Sequence, residues 1–123
     1  MKVENIMFKA KRLDNGEWII GSFVVMKIPA LSKTTIGIVA AGSATLHEID
    51  TTTVCQFTGL KDKNGTPIYE GDIVIYKDNN TERRGNINWD DKSASFCFGY
   101  GFFLCHFPSK NMVVIGNKFD KEK

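Results

Sequence analysis

The sequence predicts an all-β fold, and three observations support this prediction. Short runs of β-branched and aromatic residues recur at spacings of roughly 8–12 residues, with turn residues between them. No segment shows the apolar period of about 3.6 residues that an amphipathic helix requires. The 123 residues, of which 42% are apolar and 24% charged, are typical of a globular protein with its own core. We therefore expect a small barrel or sandwich rather than an α/β sheet.

In the first half of the chain, two predicted strands flank a tight turn. Asp14, Asn15 and Gly16 readily adopt the positive φ angles of a hairpin turn. Pro29 and its polar neighbours predict a mobile loop or an edge over residues 27–35. The strands predicted in this half cover residues 6–13, 17–26, 36–40, 45–49 and 52–57, and the last two are joined at Asp50.

The second half of the chain alternates turns and strands in the same way. Residues 61–65 end in Asn-Gly and predict a turn. Residues 67–70 are expected to form a single helical turn before Gly71, where we expect a strained or tightly packed backbone. Further strands are predicted over residues 72–77, 83–90, 93–98, 102–107 and 112–116.

The run TVCQFTGLKDKNGTPIYEGDIV at residues 53–74 resembles the signature of the YopX family of phage and prophage proteins. Residues 114–117 are similar to the element that closes the family's domain. The resemblance implies a small SH3-like barrel over residues 51–118, preceded by additional strands in residues 1–50 and followed by a frayed tail in residues 119–123. Together these parts would form a single YopX-like domain of phage or prophage origin, which acts in the bacterial host cell.

Charge and cysteine usage argue against several classes of function. The formal net charge of +2 arises from 16 basic and 14 acidic side chains that alternate locally, which predicts a solvated surface rather than a field that collects phosphates. Cys55, Cys97 and Cys105 lack the CxxC spacing of zinc sites and predict buried thiols in a reducing, cytoplasmic compartment. The apolar stretches are too short to span a bilayer. We expect no cofactor, no metal and no membrane partner.

The residues that could carry chemistry also have structural interpretations, which we favour. Glu70 and Asp72 could form a carboxylate pair for acid–base or metal chemistry, but no third partner is evident. Cys105 and His106 are neighbours in a predicted strand, so their side chains point to opposite faces and cannot form a dyad. The sequence therefore predicts that the protein is not an enzyme.

The densest aromatic cluster lies between residues 96 and 107 and contains five phenylalanines and one tyrosine. A small barrel cannot easily bury so many rings, so we expect part of the segment to cover a subunit interface in a homo-oligomer. The favoured function is a non-enzymatic binding module with a protein partner. The alternative is a nucleic-acid-binding accessory protein that uses Arg83, Arg84 and Tyr100. The candidate partner-binding residues are Gln56, Arg83, Arg84, Tyr100 and Phe102.

Overall fold

Antiparallel β-strands dominate the structure, and the predicted all-β class is confirmed. The structure is a computed structural model that describes residues 2–79, 81–99 and 102–120. Over these residues it contains ten strands and four short 3-10 helices. The chain divides into two compact units, Met1–Gln56 and Phe57–Lys123, and each is described by itself.

The first unit is a barrel-like ring of four strands. Its strands are β1 (Phe8–Arg12), β2 (Trp18–Ile28), β3 (Lys33–Ala40) and the part of β4 (Leu46–Lys61) that precedes residue 57. They pair in the order β1-β2-β3-β4, and β1 also pairs with β4, which closes the ring. The short 3-10 helices of this unit are Val3–Asn5 and Pro29–Leu31. Apolar side chains fill the interior, among them Ala10, Ile19, Ile38 and Ile49.

Of the two alternatives for residues 27–35, the loop is largely wrong, because strand pairing continues through most of the segment. The β2–β3 register extends as far as the pair Ile28 and Lys33. Pro29 begins the 3-10 helix that turns the chain, and the N–H of Ser32 closes it by donating to the Pro29 carbonyl at 3.1 Å. Ser32 itself has a φ of 49°, so the reversal occupies only a few residues. A pairing partner therefore overrides the local turn composition here.

The joint predicted at Asp50 does not interrupt β4, which is one strand. The Thr53 hydroxyl donates to the Asp50 carbonyl at 2.7 Å and accepts from the N–H of Lys11 at 2.8 Å. The pairing of β1 with β4 shifts register at this point, between Lys9 and Lys11. Because Thr53 satisfies the backbone groups that the shift leaves unpaired, the chain remains extended.

The second unit contains six further strands: β5 (Pro67–Tyr69), β6 (Asp72–Asp78), β7 (Thr81–Asp90), β8 (Ser95–Phe98), β9 (Phe102–Phe103) and β10 (Met112–Asn117). Strand β5 pairs with the end of β4, and the other five form an antiparallel sheet in the order β10-β6-β7-β8-β9. The 3-10 helices Leu104–His106 and Ser109–Asn111 lie between β9 and β10. The buried core consists of Ile68, Val74, Tyr76, Ile87, Phe98, Leu104 and Met112.

Two further predictions need correction in this unit. Residues 67–69 form strand β5 and not a helical turn, and the Thr58 hydroxyl of β4 donates to the Ile68 carbonyl at 2.7 Å. The strand predicted over residues 102–107 ends after Phe103, where the 3-10 helix Leu104–His106 begins. By contrast, Gly71 has a φ of 85°, which agrees with the expected strained position before β6.

Candidate functional site

The carboxylate of Asp72 has a structural role. Asp72 is 1% exposed. One carboxylate oxygen accepts a hydrogen bond from the N–H of Tyr69 at 2.8 Å, and the other accepts one from Nδ2 of Asn117 at 3.0 Å. The same Asn117 nitrogen lies 3.3 Å from the carbonyl oxygen of Glu70. These bonds connect the turn after β5 to the end of β10, so they favour the structural interpretation of the Glu70–Asp72 pair.

Asp62 joins another turn to β10. One carboxylate oxygen accepts the N–H groups of Asn64 and Thr66 at 2.8 and 2.9 Å, and the other accepts the N–H of Val114 at 2.9 Å. Burial raises the pKa of Asp62, but the hydrogen bonds from these three N–H groups lower it more, so the pKa lies below the ordinary value of 3.8. The carboxylate is therefore held in its charged form by backbone donors.

An aromatic pocket opens on the second unit and is the first candidate binding site. Its volume is about 260 Å³. Phe107 lies at its centre, with edge-to-face contacts to Phe98 at a centroid distance of 5.2 Å and to Phe102 at 6.0 Å. Phe98 is buried in the core, whereas Phe102 is 49% exposed. The stack of rings thus leads from the core to the surface. The described lining residues are Arg83, Arg84, Gly85, Phe98, Gly99, Phe102 and Phe107.

The positively charged side chain of Arg83 lies at the rim of the aromatic pocket. The guanidinium carbon of Arg83 lies 5.4 Å from the centroid of the Phe102 ring, within the range of a cation–π contact. The neighbouring Glu82 is paired with Lys77 at 3.5 Å. Gly85, two residues further along β7, makes room for the Phe98 ring in the wall of the pocket, because a Cβ atom there would approach that ring to 2.9 Å.

The predicted site residues do not all come together. Arg83 and Phe102 are in contact, but strand alternation places Arg84 on the opposite face of β7, although it also borders the pocket. Gln56 is exposed on β4 in the first unit, opposite Phe8 in the register with β1. Tyr100 lies outside the described residues.

A second concave surface, which we call the lysine pocket, was missed by the sequence reasoning. It has a volume of about 320 Å³ and is lined by Lys63, Ile75, Lys77, Lys110, Asn111 and Val113. Its three lysines belong to three separate segments of the chain, so no local pattern in the sequence could have indicated it. The pairing of β6 with β10 and the hydrogen bond from the Lys63 N–H to the Met112 carbonyl bring these segments together.

The cysteine prediction is partly wrong. Cys55 and Cys97 are buried, but Cys105 is exposed because the predicted strand gives way to the 3-10 helix Leu104–His106. Over residues 2–79, 81–99 and 102–120, no group of three His, Cys, Asp or Glu side chains is placed to hold a metal ion. The same described residues contain no helix that is long and apolar enough to cross a membrane.

One comparison with known proteins identifies a family. The family model described as YopX protein matches residues 7–122, nearly the whole chain. The match covers the run at residues 53–74 and the strands before it, so the resemblance seen in the sequence is confirmed. No curated protein and no solved structure matches the chain.

Proposed function

The chain belongs to the YopX protein family, and from this premise we propose that it is a non-enzymatic binding module of phage or prophage origin. It acts in the cytoplasm of a bacterial host and contacts a protein partner through the aromatic pocket. The observation that carries this proposal is the contact of Arg83 with the exposed ring of Phe102 at the rim of that pocket. Aromatic and arginine side chains are enriched among the residues that dominate protein interfaces.

The chemistry of the aromatic pocket indicates what a partner would present. The walls offer the edges and faces of Phe98, Phe102 and Phe107, which suit a single aromatic or large aliphatic side chain. Arg83 would pair with a carboxylate or a backbone carbonyl beside that side chain, since its guanidinium is oriented by the Phe102 ring. The proposed partner therefore presents an apolar side chain next to an acidic residue.

Two buried carboxylates of the second unit, Asp62 and Asp72, have structural partners that argue against a catalytic role. Both oxygens of Asp72 and both oxygens of Asp62 accept hydrogen bonds from the chain itself. A general acid or base needs an oxygen within reach of a substrate proton. Because these two buried carboxylates are occupied in holding turns to β10, they are better suited to maintaining the fold.

Self-association is part of the proposal. Phe102 is exposed on β9, and a second copy can cover its ring in a two-fold homo-oligomer. Light scattering on the purified protein should then give a mass above the 13.8 kDa of one chain. Phe102→Ser should shift the protein to the monomer mass. A wild-type monomer at micromolar concentration would rule out this part of the proposal.

Affinity capture from phage-infected or lysogenic cells tests the proposed partner. The captured protein is purified, and its affinity is measured for the wild type, Phe102→Ser and Phe103→Ser. Phe103 is the matched control because its ring contacts His106 and does not line the aromatic pocket. We expect Phe102→Ser to weaken binding at least about tenfold, as for an interface anchor, and Phe103→Ser to have little effect. Equal effects of the two substitutions would contradict the proposal. Nucleic acid that binds the wild type and is lost with Phe102→Ser would favour the alternative.

A further inference from the structure

The lysine pocket has an apolar floor on the outer face of the sheet in the second unit. Val113 of β10 and Ile75 of β6 are direct partners in the register, so their side chains lie next to each other. Both are partly exposed, and they alternate with core residues on the same strands. Arg84 of β7 is the next residue in this row, opposite Ile75. The row therefore begins with two apolar side chains, Val113 and Ile75, and ends with the positively charged Arg84.

Three segments place lysines around this floor. Lys63 is positioned by its backbone, since its N–H donates to the Met112 carbonyl at 2.9 Å. Lys110 lies in the 3-10 helix Ser109–Asn111, directly before β10. Lys77 lies near the end of β6. Each lysine is thus attached to ordered backbone, so the three flexible side chains start from fixed positions around the floor.

The nearby carboxylates leave the lysine pocket with excess positive charge. Glu82 lies 3.5 Å from Lys77, but the two side chains are 62% and 72% exposed, so the pair is weak. The Asp62 carboxylate accepts three backbone N–H groups and stays charged, so Asp62 and Glu82 together offset two of the three lysine charges and leave the third, with Arg84 beside it, in excess. The overall net charge of +2 conceals this local excess.

We propose that the lysine pocket binds a phosphate-bearing nucleotide, either free or as one unit of a single strand. Lysines are common phosphate ligands, and three of them suit a group with several anionic oxygens. Ile75 and Val113 supply an apolar surface for a base or a sugar, and the Asn111 amide can donate and accept hydrogen bonds at a base edge. The volume of about 320 Å³ is at the lower end of the range for small-molecule sites. The position of Arg84 beside the floor would serve a neighbouring phosphate of a strand.

This site is separate from the aromatic pocket, so its failure would leave the proposed protein-binding function untouched. The test is a two-dimensional amide NMR titration of the full chain with three probes: inorganic phosphate, adenosine monophosphate and a short oligothymidylate. We expect saturable shifts at Lys63, Lys77, Lys110 and Asn111. The variant Lys63→Ala plus Lys110→Ala should bind about two- to thirtyfold more weakly, as expected for two exposed ionic contacts. The matched control is Lys92→Ala plus Lys118→Ala, which removes the same charge elsewhere on the unit and should bind as the wild type does.

A charge-neutralising variant sharpens the test. Glu82→Gln releases Lys77 from its partner and should tighten binding about twofold or more.

The relative affinities of the probes distinguish a strand from a free nucleotide. Tighter binding of the oligothymidylate than of adenosine monophosphate, with a steeper salt dependence, would identify a strand as the ligand, and equal binding would identify a free nucleotide. The proposal is overturned if neither adenosine monophosphate nor the oligothymidylate gives saturable shifts at these residues, or if the control pair weakens binding as much as the pocket pair.

Discussion

Replacement of Asp62 by alanine should destabilise the protein far more than its position in a charged turn indicates. The carboxylate accepts three backbone N–H groups, and only the two in its own turn can regain water readily. The N–H of Val114 lies within β10 and would stay without its acceptor. A hydrogen bond to a charged group contributes about 1.5–3 kcal/mol to stability. Because the two N–H groups of the turn regain part of this by bonding to water, Asp62→Ala should lower the free energy of unfolding by about 2–5 kcal/mol.

Urea denaturation measures this loss directly. Asp91→Ala is the control, because Asp91 is an exposed carboxylate in the turn between β7 and β8, and its removal should change the free energy of unfolding by less than about 0.5 kcal/mol. A loss for Asp62→Ala that is no larger than that of Asp91→Ala would refute the assignment of Asp62 as the connection between its turn and β10.

The pH dependence provides an independent check on Asp62. Its pKa in the folded protein lies below the ordinary value of 3.8. A lowered folded pKa means that the charged carboxylate stabilises the fold fully above the unfolded pKa, and that this contribution is lost as the pH falls through the folded pKa. Asp62→Asn lacks the titrating group. The difference in unfolding free energy between the wild type and Asp62→Asn should therefore shrink as the pH falls below about 3.8.

Two further predictions concern the backbone and the thiols. Gly71→Ala should lower the free energy of unfolding by about 1–2 kcal/mol, because Gly71 has a positive φ. Gly116→Ala, at an ordinary φ, should lower it by less. Equal losses of stability in thermal melts would contradict the assignment of Gly71 as a strained position. Iodoacetamide should modify Cys105 in the folded protein and reach Cys55 and Cys97 only after unfolding, as followed by mass spectrometry. If iodoacetamide labelled Cys97 as fast as Cys105, Cys97 would be accessible in the folded protein and not buried.

Local sequence chemistry is enough to predict most of the strands. Runs of β-branched and aromatic residues predict the positions of β6, β7 and β10 to within about two residues, and the turn at residues 61–65 follows from Asn-Gly. The sequence does not separate a helical turn from a strand over residues 67–70, because a proline followed by apolar residues is compatible with both. Pairing with β4 and the Thr58 hydroxyl decide between them, and both depend on residues about ten positions away.

The candidate site was only partly predictable, for a related reason. The exposed aromatic segment and Arg83 could be identified from composition, since the rings are concentrated in a few residues. The separation of Arg83 from Arg84 follows once β7 is known to be a regular strand, because neighbouring side chains then face opposite ways. The lysine pocket could not be predicted, because Lys63, Lys77 and Lys110 are brought together only by tertiary structure.

Site-specific photo-crosslinking tests most directly whether the aromatic pocket is a protein-binding surface. A benzophenone amino acid replaces Phe102 in one variant and Ile115 in another, and both are irradiated in host cells. Ile115 is a suitable control because it is similarly exposed, on β10 of the same unit. The account predicts a discrete protein adduct, either with a second copy or with another protein, from position 102 and not from position 115. Adducts to nucleic acid, identical adducts at both positions, or no adduct at position 102 would contradict it.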